Sequence, residues 1–240
     1  MKNIKIVHLY PKEMNIYGDN GNVQIIYKRL EWLGYKTTLV NIGVGENLPA
    51  DSSIIIGGGG QDAGQSDIAK DLLAKQKSIK QLADNGVPML MVCGLYQLFG
   101  HYFKTANSGK IPGIGVLDAY TVASPGRIIG NIVVQTKEWG DIIGYENHSG
   151  RTYLADEHLK IGTTKNLQGN NGEDLSEGCR YNNVFGTYLH GPVLSKNILL
   201  VNYFIEQIIG HKIEVYEQDK LKIVDKLAVR ASAIAKNLQR

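Results

Sequence analysis

The short runs Ile54–Ile56 and Val87–Val92 are apolar at every position. A strand with one wet face alternates polar and apolar residues, so a run with no polar side marks a strand covered on both faces, as in parallel sheets. Segments of helical period lie between and beside these runs. "IKIVHLY" (Ile4 to Tyr10) reads as a buried strand ended by Pro11. "VQIIYKRLEWLGY" then places Val23, Ile26, Leu30 and Leu33 on one helical face, with Gly34 as its stop. After the strand "KTTLVNI", the apolar run to Ile56 enters four glycines, Gly57 to Gly60. "SDIAKDLLAKQKSIKQLADNG" offers Ser66 or Asp67 as a helix N-cap and Gly86 as its end, and "GLYQLFGHYF" after Cys93 again has helical spacing. Strands alternating with helices predict an α/β fold: a central, mostly parallel sheet with helices on both faces.

The totals set bounds. At 240 residues, 43% hydrophobic and 20% charged, the chain suits one large domain or a domain with an extension. A net charge of +3 is too small to argue for a nucleic-acid partner. No run approaches the roughly 18 apolar residues of a membrane helix, so no membrane insertion is expected. The start, "MKNIKIVHLYPKEM", has neither the long apolar core nor the cleavage site of a signal peptide. Two cysteines, Cys93 and Cys179, are too few for a disulfide framework and predict reduced thiols in the cytoplasm. Residues 105–185, rich in Gly, Asn and Thr, read as short strands and long loops. "SKNILLVNYFIEQIIG" is an amphipathic helix, and a final segment puts Leu221, Val224, Leu227 or Ala228, Ala231, Ile234 and Leu238 on one stripe. The division expected is a domain over 1–212 and a helical extension over 213–240. The simplest reading packs that stripe on its own domain; the other docks a partner.

Three groups capable of chemistry fall at strand ends, where open α/β sheets gather their reactive groups. They are the tetraglycine, Cys93 after "VPMLMV", and His190 after "NVFGTYL". A cysteine on a strand-to-helix turn has its sulfur lifted from the backbone and set at a helix N-terminus, which favours thiolate. Gly94 keeps that turn uncrowded, and nearby N–H groups can meet a developing oxyanion. A thiol nucleophile needs a base, and His190 is the candidate. Each feature alone has a plainer reading: cysteine fills cores, a lone histidine is more often a satisfied polar residue, and "GGGGQDAGQ" has neither Walker nor Rossmann spacing. Asp19, in "YGDNGN", shapes a pocket entrance or caps the helix that follows it, capping being the simpler role. His148 with Glu146 reads as a polar cluster fixing a loop or as part of a pocket, and His8 as a buried residue. No histidine or cysteine has partners at metal-ligand spacing, so neither a metal nor a cofactor is expected.

"MVCGLYQLFG" resembles the nucleophile turn of class I, triad-type glutamine amidotransferases, in particular their cobyric-acid-synthase-like branch, where the turn reads close to Cys-Gly-Gly-Tyr-Gln. The resemblance runs in order through "YGDNGN", "IIGGGG", "GYENHSGRTY" and "FGTYLHGP", nearly the whole chain. It is strongest to the small glutaminase subunits that work beside a Mur-ligase-like ATP-dependent subunit (MurT-type). What it implies is hydrolysis of L-glutamine, with ammonia passed to that partner, which amidates the D-glutamate α-carboxyl of lipid II to D-isoglutamine in peptidoglycan synthesis. Carried over by position, Cys93 is the nucleophile and His190 the base. The oxyanion falls to backbone N–H groups of Leu95 or Gly94 and of Gly58 or Gly59. Gln97 lines the substrate pocket, and Arg127 grips the substrate α-carboxylate. Two departures stand out. Pro192 occupies the position two after the histidine where most of the class carries Glu, implying a Cys–His dyad with Glu146 as the candidate to orient the histidine, and Leu95 replaces the second glycine of the turn, narrowing the pocket. The sequence has no Gly-x4-Gly-Lys-Ser/Thr, so ATP chemistry is expected from another chain.

Overall fold

The structure, a computed structural model, describes residues 3–60, 65–106, 109–213 and 219–238. β1 (Ile4–Leu9) leads through α1 (Asn20–Trp32) to β2 (Thr37–Ile42), and β3 (Ile54–Gly57) leads through α2 (Gln65–Asp84) to β4 (Met89–Val92). β1 pairs in parallel with both β2 and β3, and β3 pairs in parallel with β4. The first crossover steps one way along the sheet and the second the other way, so right-handed connections put α1 and α2 on opposite faces. Every residue of β3 and β4 is buried, which is why neither strand alternates in sequence. The expected mostly parallel sheet between helices is present.

After Cys93 the chain forms only a six-residue helix, α3 (Gly94–Phe99), not one running on to Phe103. Gly100 explains the stop: a Cβ there would lie 2.6 Å from the Ala119 carbonyl oxygen, so the chain has left the helix to pass against a neighbouring strand. A second sheet follows, from β5 (Tyr102–Lys104), β6 (Lys110–Pro112), β7 (Ala119–Thr136), β8 (Gly140–Leu154), β9 (Gly162–Thr164) and β10 (Ser176–Glu177). Its order is β10-β9-β7-β5-β6, with β8 paired to β7. Here the expectation of short strands fails, because β7 spans 18 residues and β8 spans 15. Their alternation is interrupted by Pro125, by glycines, and by a break in register between Ala123 and Ile128. β11 (Cys179–Tyr181) and β12 (Val184–Thr187) then return to the first sheet, completing the order β11-β12-β4-β3-β1-β2, with β12 parallel to β4. The carboxyl ends of β1, β3, β4 and β12 thus open on one rim.

α4 (Ile198–Ile209) and α5 (Asp219–Asn237) close the chain. α5 does not sit on one layer. Near its start Asp225 takes a 2.6 Å ion pair from the buried Arg29 of α1. Near its end Lys236 pairs with Asp141 of β8, and the Leu238 carbonyl accepts from Asn131 Nδ2 of β7 at 3.1 Å. The single stripe expected for this segment resolves into two. Leu221 and Ala228 are buried, whereas Leu227, Ile234 and Leu238 are 58%, 61% and 58% exposed. Leu221→Ala is therefore expected to destabilise the protein by about 2–5 kcal/mol and Leu227→Ala by less than about 0.5 kcal/mol, compared by urea midpoints.

Candidate active site

Cys93 has φ 52° and ψ −105°, a left-handed backbone that residues with side chains seldom adopt. The turn is pinned on both sides. The Cys93 N–H donates to the Thr187 carbonyl at 2.8 Å, and the Cys93 carbonyl accepts from the Gln97 N–H at 3.0 Å. Strain of this kind at a strand-to-helix turn presents a nucleophile at the top of a sheet. Leu95, expected to narrow the pocket, is instead fully buried, and a Cβ on Gly57 would come within 2.1 Å of its Cδ1. The glycine at the end of β3 makes room for the leucine that replaced a glycine in the turn.

His190, at the end of β12, meets Cys93 across Gly59. A Cβ on that glycine would stand 3.4 Å from the Cys93 sulfur and 3.2 Å from His190 Cε1. The histidine is held from the other side by Asp19, whose Oδ1 and Oδ2 lie 3.0 and 3.2 Å from His190 Nδ1. Asp19 also accepts the Gly59 N–H at 2.9 Å. Two expectations are corrected here. Asp19 occupies the N-cap position of α1, but its side chain makes no capping hydrogen bond. Glu146 does not touch His190; its Oε2 accepts the Gly169 N–H at 3.0 Å and lies 3.5 Å from His148 Nε2. The carboxylate that holds His190 thus comes from the first loop of the chain. Tyr17, from the same loop, packs its ring 4.5 Å from the imidazole, and His190 exchanges two backbone hydrogen bonds with Tyr145 of β8.

Burial by itself would lower the His190 pKa. The hydrogen bond and charge of Asp19, together with the nearby Cys93, outweigh it and raise the value to about 10. Asp19 takes Nδ1, and Nε2 is buried without a hydrogen-bond partner of its own. The imidazole is thus built to carry a proton beside the sulfur. The second thiol contrasts with the first: burial pushes Cys179 up to about 12, which makes it inert.

The other expected residues are distributed as follows. The Gly59 N–H is committed to Asp19, so it is not free to meet an oxyanion as expected, and the Leu95 N–H makes only a long 3.4 Å contact with the Gly58 carbonyl. Gly58 itself is a close-packing point, since a Cβ there would lie 2.6 Å from the Met14 carbonyl and from Asp19 Cβ. Gln97 is buried one helical turn beyond Cys93, with its Nε2 donating to the Tyr188 hydroxyl at 3.2 Å. That hydroxyl lies 2.6 Å from Thr152 Oγ1, and the Tyr188 ring stacks on His148 at 3.6 Å. His148 therefore belongs to a buried polar layer under the site rather than to a loop. Glu177 shares that layer; burial raises its pKa to about 7 against hydrogen bonds from Thr187 and Tyr188 that favour the anion. Arg127, on β7, is exposed, its Nε and an Nη donating to the side chain and carbonyl of Asn147 at 2.8 and 2.9 Å. Among the described residues no three His, Cys, Asp or Glu side chains converge as metal ligands, and no helix is long and apolar enough to cross a membrane.

A cysteine on a strained strand-end turn, facing a histidine fixed by a carboxylate, defines a thiol-dependent hydrolase or acyl-transfer site on a doubly wound sheet. The particular group follows from comparison with known proteins: residues 5–198 match the model of the CobB/CobQ-like glutamine amidotransferase domain, and the chain belongs to that family. It is 38% identical to the lipid II isoglutaminyl synthase (glutamine-hydrolysing) subunit GatD of Streptococcus pneumoniae, over 90% of this chain and 83% of that one. It is 35% identical to the GatD subunit of Staphylococcus aureus, over 88% of this chain and 87% of that one. Among solved structures, a glutamine amidotransferase from Thermotoga maritima shares the fold with a TM-score of 0.56 at 15% identity, over 99% of this chain and 95% of that one.

Asp19 left no clear mark in the sequence, because an acid before a helix reads equally well as a cap. Its role can be measured through linkage. With a folded pKa of about 10 against 6.5 for free imidazole, the native state keeps the His190 proton where the unfolded chain has lost it. The pairing contributes its full stability below pH 6.5, and that contribution is lost as pH rises toward 10. Asp19→Asn is expected to shift this loss to lower pH in urea midpoints taken from pH 6 to 10, and to cut glutamine hydrolysis by about a hundredfold.

Proposed function

We propose that this chain is the cytoplasmic glutaminase subunit of a two-chain ligase: it hydrolyses L-glutamine at Cys93 and hands the ammonia to a Mur-ligase-like, ATP-dependent (MurT-type) subunit, which amidates the D-glutamate α-carboxyl of lipid II to D-isoglutamine. The names of the two bacterial relatives support the acceptor and the division of labour. The observation that carries the chemistry is the Cys93–His190–Asp19 arrangement at the sheet rim.

His190 takes the proton of the thiol as the sulfur becomes the nucleophile. The thiolate attacks the carboxamide carbon of glutamine, and the carbonyl oxygen takes the negative charge. Of the N–H groups at the turn, that of Leu95 is the donor with least to lose on turning to this oxygen, since its present contact is long. As the intermediate collapses, the C–N bond breaks and the nitrogen takes the proton from His190, leaving as neutral ammonia. A glutamyl thioester remains. Neutral His190 then accepts a proton from water, the hydroxide adds to the thioester, and the C–S bond breaks to give glutamate and restore the ion pair. Asp19 fixes the ring with Nδ1 toward the carboxylate, so Nε2 serves both transfers. Gln97 borders the pocket, and Arg127 receives the substrate α-carboxylate, for which its planar fork is suited. A carboxylate acceptor is a poor electrophile, so the partner supplies the activation with ATP.

The test is glutamine-driven amidation of lipid II by this chain with its ligase subunit. Cys93→Ala is expected to reduce it by at least about a thousandfold while amidation supported by added ammonium salt persists. Retention of glutamine-driven activity by that variant would remove the mechanism.

A further inference from the structure

The outward face of α5 carries more exposed apolar surface than any need of its own domain explains. Ile223, Leu227, Ala231, Ile234 and Leu238 recur at steps of four, four, three and four residues, which places them on one side of the helix. Ile223, Leu227, Ile234 and Leu238 are each between 58% and 61% exposed, in contrast to the buried Leu221 and Ala228 that hold the helix down. One border of the stripe is basic. Lys222, Lys226 and Arg230 lie at i, i+4 and i+8, exposed and without an ion pair among the described residues. The other border opens into an apolar groove of about 290 Å³, walled by Ile25 and Trp32 of α1, Leu194 and Ile198 of the segment after His190, and Val224 and Ala228 of α5.

Both ends of this surface are joined by hydrogen bonds to the segments that carry Asp19 and His190. The groove abuts the two segments that carry the catalytic pair: α1 begins directly after Asp19, and the Leu194 N–H donates to Asn22 Oδ1 at 3.0 Å. At its far end the stripe meets β7 through Asn131 and the Leu238 carbonyl; Asn131 is opposite Tyr145, and Tyr145 is bonded to His190.

Resting on the function proposed above, we infer that the outer stripe of α5 and its adjoining groove seat the ammonia-consuming ligase subunit, which meets them with an apolar ridge bordered by carboxylates. The observations favour this occupant over two others. A symmetric second copy would bring three cations against their own images, a like-charge contact that disfavours pairing. A bilayer would satisfy the stripe and the basic border but offers no side chain to fill a concave groove, whereas an anchored aliphatic or aromatic residue of a protein partner does.

The experiment uses the full chain with its ligase subunit. Leu227→Glu/Ile234→Glu is expected to weaken the complex at least about tenfold, leaving the thermal midpoint and the Cys93 alkylation rate of the free chain unchanged. Lys226→Glu/Arg230→Glu is expected to slow association and reduce its dependence on salt, while Lys77→Glu on α2, in the opposite helix layer, leaves affinity at the wild-type value. Wild-type affinity in both stripe variants would overturn the docking site while leaving the functional reading standing. Failure of the unaltered chain to bind the ligase subunit would overturn both. Unchanged partner affinity together with stripe-dependent binding to phosphatidylglycerol vesicles would replace the protein occupant with a membrane.

Discussion

The carboxylate of Asp19 is the constraint on which the site depends. It accepts the Gly59 N–H with one oxygen and reaches His190 Nδ1 with both, so one buried group fixes the turn after β3 and the histidine after β12. A buried carboxylate is costly unless its lone pairs are filled, and this one is filled by the parts that must stay in register. It also supplies the negative charge that lets a buried imidazole keep its proton. Without it, burial would press the ring toward its neutral form with one fewer partner to oppose it.

Around that contact, glycine acts as clearance. Gly59 leaves the gap through which cysteine and histidine face each other, Gly58 lets the turn approach Met14 and Asp19, and Gly57 admits the Leu95 side chain. The first three glycines of the tetraglycine are spacing devices for different neighbours. The strained backbone of Cys93 is held in the same way, by hydrogen bonds from β12 and from its own helix rather than by any local preference.

The first sheet was legible because burial on both faces leaves uniform apolar runs, and because the glycines, Cys93 and His190 each follow such a run directly. The second sheet was not. Its long β7 and β8 strands carry a proline, several glycines and a register break, and part of their inner face is polar, with Thr121, Glu146, His148 and Thr152 buried on hydrogen bonds. Binary patterning has no signal to offer where the buried side is hydrophilic. Asp19 was missed for a different reason: a local role and a distant one demand the same residue at the same place, and only the fold distinguishes them. The final helix was read as one stripe because neighbours three and four residues apart merge on a wheel until the packed side is known.

The separation of the reacting groups along the chain has a consequence for biosynthesis. Asp19 and His190 stand 171 positions apart, and the sulfur lies between them. A chain growing from the ribosome carries Cys93 long before the imidazole that faces it has been made. The two groups meet only when the carboxyl-terminal third folds back on the amino-terminal loop, which makes the assembly of the site one of the last events of folding.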